Sequence, residues 1–364
     1  MILLKINQEL KKSILVKSLN KMKPINLLLI FFFTTFHSFG QQRNVGDQID
    51  SLFFAETNNP FNGVILIAEQ GQDTYKKVKG YSDLENKVPL KLHDQFVIGS
   101  ISKQFTAVLV LQEYDKGNLD LFIPIRHFLP DLTQDWADTV TVHHLLTHTH
   151  GIAQLDKPTT FAVGTRYAYS QIGYDLLAQI VEKTSGTSFA TLSQRLFETC
   201  GMNNTFHPDI KKYNDLVKGY TETEDGHISY ERESFENYAA AGSFISTASD
   251  LNVWNDKFYS GQLLKTETMD ILKTKQKGAV RNHPIFGITA YGYGFTIDTN
   301  EGFLQYGQTG FAPGFVSMNF FFPETKTSVI VLENIAYDTH DFRSTFGIHT
   351  AILKMVRNDI KIRR

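Results

Sequence analysis

Runs of apolar residues, and the polar breaks between them, divide the chain into predicted elements. Asn62 to Glu69 (NGVILIAE) reads as a strand and Thr74 to Tyr81 as its partner, joined by a turn at Gln70-Gly71-Gln72-Asp73. After Phe96-Val97-Ile98-Gly99-Ser100 comes a stretch from Lys103 to Tyr114 that is apolar around nearly its whole circumference and stops near Gly117. A helix that is apolar all round must be buried, and glycine suits its C-terminus. Ser100 therefore falls at the start of a central helix, a poor place for a polar residue without a task. The middle of the chain reads as helical and loop-rich: a helix begins at Thr141 to Leu146, an amphipathic one runs from Tyr174 to Thr184, and another begins at Phe189 to Leu196. Strands return at Gly292 to Asp298, Phe303 to Tyr306, Phe315 to Phe322 and Ser328 to Glu333, and Phe342 to Arg357 closes as a helix. This order predicts an α/β (α+β) fold. Its antiparallel sheet is built from both chain ends and flanked by helices, and a helical lobe is inserted between them. The cleft between sheet and lobe is the natural place for a site.

Composition narrows the function classes. The 364 residues are 42% hydrophobic and 20% charged, with a net charge of -2. Basic and acidic residues are interleaved, so the basic stripe needed to bind a phosphate backbone is missing and no nucleic-acid partner is expected. Residues 1–40 read as a leader and signal: Lys21 and Lys23 precede an apolar run from Ile25 to Phe36, and Ser38 and Gly40 supply the small residues of a cleavage site. Met22 is a candidate start. The run is shorter than the roughly 20 residues of a comfortable span, so export with cleavage near Gly40 is expected, to the periplasm or beyond. Membrane attachment would come only through an uncleaved signal. Residues 41–364 form the predicted domain. The lone Cys200 cannot make an internal disulfide and reads as a buried structural thiol.

The candidate chemistry sits in Ser100-Ile101-Ser102-Lys103. A serine hydroxyl is a weak nucleophile until a base takes its proton. Three residues on, along one helix face, Lys103 lies beside it. A desolvated lysine has a depressed pKa and can serve as that base. A helix N-terminus also presents free N–H groups to an oxyanion. The motif alone is weak: Ser18-Leu19-Asn20-Lys21 repeats it in the leader, and serine is an ordinary helix cap.

Its context is more specific. FVIGSISKQFTA resembles the nucleophile segment of the serine β-lactamase and penicillin-binding protein superfamily. Within it, the flanking Phe-x-x-Gly-Ser pattern resembles the branch that holds class C β-lactamases, D-aminopeptidases, alkaline D-peptidases and related esterases. Val142 to Ile152 (VHHLLTHTHGI) resembles that branch's LLTHTSGI segment, and Tyr167 to Tyr174 (YAYSQIGY) its Y-S-N-x-G-Y segment. Ala240 to Leu251 (AAGSFISTASDL) and Gly307 to Phe315 (GQTGFAPGF) resemble two further segments, in the expected order. The resemblance implies a β-lactamase/transpeptidase-like fold and a serine hydrolase. Ser100 would be its nucleophile and Lys103 its base, with Tyr169 across the cleft passing a proton to the leaving group. The N–H groups of Ser100 and Phe311 would form the oxyanion hole, with Thr309 and Gly310 lining the site. Esterase, D-peptidase, carboxypeptidase and β-lactamase activities all remain open.

Two positions depart from the family pattern. Gln171 stands for asparagine, keeping the amide on a longer reach. Gln308 stands for a lysine or histidine, removing a cation that would meet a substrate carboxylate and help hold the tyrosine as phenolate. Uncharged esters or amides are then expected to be favoured over anionic substrates. The same replacements motivate an alternative, a binding or regulatory module with weakened turnover, and the acyl-enzyme also serves a transferase. His143, His144, His148 and His150 lack the glutamate or third ligand of a zinc site, so no metal is expected. No phosphate loop is present and no cofactor is implied.

Overall fold

The computed structural model describes residues 44–54, 59–210, 214–232 and 238–364. The chain divides into two compact units, Met1–Gln48 and Ile49–Arg364. Of the first, the described part is the opening of helix α1, Val45–Leu52. The expected leader and signal lie outside the described residues. Everything below concerns the second unit.

Its centre is an eight-stranded antiparallel sheet. The strands are β1 (Gly63–Glu69), β2 (Gln72–Lys79), β3 (Val280–His283), β4 (Gly287–Tyr291), β5 (Thr296–Asp298), β6 (Gln305–Ala312), β7 (Phe315–Phe322) and β8 (Thr327–Glu333), in the order β2-β1-β8-β7-β6-β5-β4-β3. The two chain ends meet where β1 pairs with β8, from Gly63 opposite Glu333 to Glu69 opposite Thr327. β7 and β8 are buried along their whole length. That explains their near-continuous apolar sequence, since a strand covered on both faces has no polar side to alternate with. Register identifies the two covers. Asn319 and Ser328 share one face and both accept from Asn255 of helix α6 (Ala248–Tyr259). Val316 and Glu333 share the other, where Glu333 meets His349 of helix α9 (Gly347–Arg363) at 3.4 Å.

The inserted helices are α2 (Ser102–Asp115), α3 (Val142–Leu146), α4 (Ile172–Ser185), α5 (Phe189–Cys200) and, with α6, α7 (Thr266–Lys273); the short α8 (Phe342–Thr345) precedes α9. Helix α2 is buried from Ser102 through Leu111, as its all-round apolarity requires. Phe105 sits at its heart, edge-on to Phe197, Phe244 and Trp254 at centroid distances of 5.0, 5.4 and 4.5 Å. A buried phenylalanine of this kind is worth about 3–5 kcal/mol against alanine. Cys200 is buried at the end of α5. Among the described residues no helix is long and apolar enough to cross a membrane.

Several expected boundaries move. The first hairpin turns on two residues, Gln70 and Gly71, both at positive φ, which is the tight turn that matches strand twist. The expected strand at Gly292 to Asp298 is broken: Gly294, at φ 89°, lies so close to helix α2 that an added Cβ would stand 2.8 Å from the Lys103 carbonyl oxygen. Helix α3 ends after Leu146 because His148 takes φ 58°. Strands β3 and β4 and helix α7 were not anticipated, their short segments carrying little periodic signal.

Candidate active site

Ser100 lies in a 3-10 turn, Gly99–Ile101, that runs straight into α2. Three contacts fix this turn. Ser102 Oγ donates to the Gly99 carbonyl at 2.7 Å and accepts from Phe244 N at 3.2 Å. Ile98 N donates to the Phe244 carbonyl at 3.0 Å. On its other side the turn is pressed against β6. A Cβ on Gly99, which holds φ 54°, would come 2.4 Å from Phe311 N, and one on Gly310 would come 2.1 Å from the Ile98 carbonyl oxygen. Glycine at both positions lets the two backbones touch, which brings the Phe311 amide beside the serine turn.

Lys103, one turn into the helix, is fully buried and meets three oxygens. Its Nζ lies 3.3 Å from Ser100 Oγ, 2.6 Å from Gln171 Oε1 and 2.5 Å from the Ala241 carbonyl. Ala241 belongs to a π-helical turn, Ala239–Ser243, and the neighbouring Ala240 carbonyl accepts from Thr106 of α2 at 2.7 Å. The two shorter contacts end on carbonyl oxygens that only accept. A neutral amine would give them its two hydrogens and turn its lone pair to Ser100, the one partner able to donate.

Tyr169 completes the group: its Oη donates to Ser100 Oγ at 2.5 Å. Its ring lies under the Lys103 ammonium at 4.7 Å and against His148 at 4.5 Å. His148 accepts from Ser170 N at 3.3 Å, so it braces the segment that carries Tyr169. Lys103 is closed off, whereas Tyr169 is 38% exposed, so the group opens to solvent on the tyrosine side.

The electrostatics suit proton transfer. Burial pushes the Lys103 pKa down, and the charge of Arg281 pushes the same way, against Tyr169 and Asp175. For Tyr169, burial acts upward, but the charge and hydrogen bond of Lys103, the Ser100 bond and the Arg281 charge outweigh it and hold the phenol below its ordinary value. Base and phenol are thus drawn toward each other.

Ser100, Lys103, Tyr169 and Gln171 converge as the motifs implied, and Gln171 uses its longer reach to accept from Lys103. Gly310 and Phe311 reach the serine turn through their backbones. The Phe311 ring points away, to Phe342 at 5.7 Å. Gln308 is buried and accepts from Thr296 of β5 at 3.2 Å; neither it nor Thr309, on the opposite face of β6, bonds to the central trio. The histidines have separate tasks. His144 closes a capping box with Thr141, His143 meets Tyr293 Oη at 2.7 Å, and His150 accepts from Ile152 N at 2.9 Å. Two contributors were not singled out from the sequence. The Ala241 carbonyl acts through its backbone and leaves no side-chain signal. Arg281, whose guanidinium carbon stands 5.3 Å from the Tyr169 ring, belongs to none of the recognised segments.

The family model described as "Beta-lactamase" matches residues 57–352. The chain belongs to the beta-lactamase family. Two curated relatives are similar over part of their length. Penicillin-binding protein 4* of Bacillus subtilis (strain 168) is 33% identical over 172 residues, 40% of this chain and 38% of that protein. Esterase EstB of Burkholderia gladioli is 28% identical over 164 residues, 35% of this chain and 42% of the esterase. The chain thus spans less than half the length of either. Among solved structures, the octameric penicillin-binding protein homologue from Pyrococcus abyssi superposes with a TM-score of 0.71 at 27% identity, covering 80% of this chain and 74% of that one. This beta-lactamase-family fold accounts for the sheet shared between the chain ends and for the place of Ser100 at the start of its buried helix.

Proposed function

We propose that the protein is a serine hydrolase that cleaves an ester or amide through a covalent acyl-enzyme on Ser100. The observation that carries this reading is the placement of Lys103 Nζ and Tyr169 Oη at 3.3 and 2.5 Å from one serine oxygen. Lys103 takes the Ser100 proton as Oγ bonds to the acyl carbonyl carbon. The Ser100 and Phe311 amides meet the oxyanion, and Tyr169 delivers a proton to the leaving group as its bond breaks. Water then releases the acyl group. A weakened binding module would be expected to have lost a member of this trio, and all three are in place. Gln308 offers no charge to a substrate carboxylate, which favours uncharged esters or amides, and the similarity to an esterase supports that preference. Export to the periplasm or beyond, read from residues 1–40, is proposed with it.

The test is intact-mass spectrometry after incubation with a fluorophosphonate, wild type beside Ser100→Ala. One adduct on the wild type and none on the variant is expected. A folded wild type that gains no mass would defeat the reading. Hydrolysis of p-nitrophenyl acetate, compared with that of a penicillin, then tests the preference for uncharged substrates.

A further inference from the structure

Arg281 stands apart from the motifs, yet its surroundings call for an explanation. It lies on β3 opposite Thr289 of β4. Strand β3 is brought against the Tyr169 segment by Gly278, which approaches the Gly164 carbonyl so closely that a Cβ there would stand 2.6 Å from its oxygen. The guanidinium carbon then rests 5.3 Å from the Tyr169 ring centroid, within cation–π range. Its Nη1 is buried and has no hydrogen-bond partner, and no carboxylate pairs with the side chain among the described residues. The residue as a whole is half-buried, but arginine carries five donors and a permanent charge, and a buried N–H left without an acceptor is costly. A permanent cation kept beside the reacting tyrosine at that cost implies a use there.

The groups facing Tyr169 and Lys103 identify that use. They are Tyr174 and Asp175 from α4, His148 and Tyr167 from the preceding segment, Tyr291 from β4, and Arg281. Burial holds His148 neutral, well below its ordinary pKa, and lifts Asp175 to about 6. The tyrosines carry no charge near neutrality. At position 308, on the neighbouring part of the sheet, stands an uncharged amide bonded to Thr296.

We propose that Arg281 is a positioning residue for the acyl transfer: its guanidinium, set against the Tyr169 ring with no acceptor of its own, supplies the positive charge that Gln308 does not and stabilises the deprotonated Lys103–Tyr169 couple. The charge acts through Tyr169 and touches no substrate. Its field favours loss of a proton from either member, so the pair is ready to accept the one that Ser100 gives up. This inference rests on the hydrolase reading above.

The experiment is the pH dependence of kcat/KM for p-nitrophenyl acetate, whose acid limb reports the couple in the free enzyme. Arg281→Met should move that limb upward by roughly one pH unit, with the activity lost at pH 6 recovered at higher pH. Arg281→Lys should bring the limb back toward the wild-type position. Arg281→Gln serves as the neutral replacement if Arg281→Met does not fold. A limb that stays in place in a folded neutral variant would overturn the inference. So would an unmoved limb with KM raised only for a penicillin, which would make Arg281 an anchor for a substrate carboxylate. A wild type with neither ester turnover nor a fluorophosphonate adduct would overturn the hydrolase reading, and this inference with it.

Discussion

The contact between Gly310 and the serine turn makes a quantitative demand. In Gly310→Ala the new methyl would fall 2.1 Å from the Ile98 carbonyl oxygen and 2.2 Å from Ser317 Oγ. Both are more than about 1 Å inside van der Waals contact. Neither neighbour is a free side-chain end. Ser317 Oγ donates to that same carbonyl at 2.8 Å, and the carbonyl also accepts from Ile101 N at 3.3 Å. Relief must therefore come from separating β6 from the turn, which shifts Ser100 relative to Tyr169 and the Phe311 amide by about 1 Å. A misplacement of that size can cost about 100-fold in rate, equivalent to about 2.7 kcal/mol, with a stability loss of about 1–3 kcal/mol from overpacking. The assay is the second-order rate of fluorophosphonate labelling, beside a urea melt. Gly117→Ala is the control: Gly117 holds a positive φ of 77°, which Gly310 does not, and has open space around the added atom. It should lose about 1 kcal/mol of stability and label at the wild-type rate. Wild-type labelling by Gly310→Ala would refute the claim that this contact sets the serine's position.

Two further outcomes concern parts of the molecule away from the trio. Burial lifts the Glu333 pKa to about 8 in the folded protein, from an ordinary 4.5, so the folded state holds a proton that the unfolded state has lost. Its contribution is present below pH 4.5 and disappears as pH rises to about 8. Glu333→Gln should therefore gain stability over the wild type on going from pH 5 to pH 8, by the order of a few kcal/mol in urea melts; a pH-independent difference would count against a buried neutral acid. Burial also pushes the Cys200 thiol up to about 11. The native protein should resist maleimide at pH 8 while the urea-unfolded chain reacts, and fast native labelling would show the thiol to be accessible.

Much of the site was legible because its parts are local. Ser100 and Lys103 are joined by helix geometry, since a one-turn spacing places them together whatever surrounds the helix. The apolar circumference of Lys103 to Tyr114 likewise announced burial, and burial depresses the lysine's pKa. Strands β1, β7 and β8 were readable because double-sided burial leaves a near-continuous apolar run. Tyr169 and Gln171 were reached only through resemblance to a family segment, because nothing near them in sequence says that they face Ser100.

The tertiary structure decided what depends on backbones meeting across the sheet and cleft. Strands β3 and β4 are short and weakly patterned, so their pairing gains its energy from neighbours rather than from their own composition. Gln308 could be read as a missing charge, but only packing shows it turned to Thr296. Arg281, more than a hundred residues from Tyr169 in sequence, carries no motif. Its charge matters because Gly278 lets β3 approach the tyrosine's segment. The sequence by itself determined the buried helix and the one-turn spacing that sets Lys103 beside Ser100, since these rest on local periodicity. Which charges surround that pair, and which backbone groups close on it, was settled only when distant segments packed, because electrostatic and steric effects depend on distance in space.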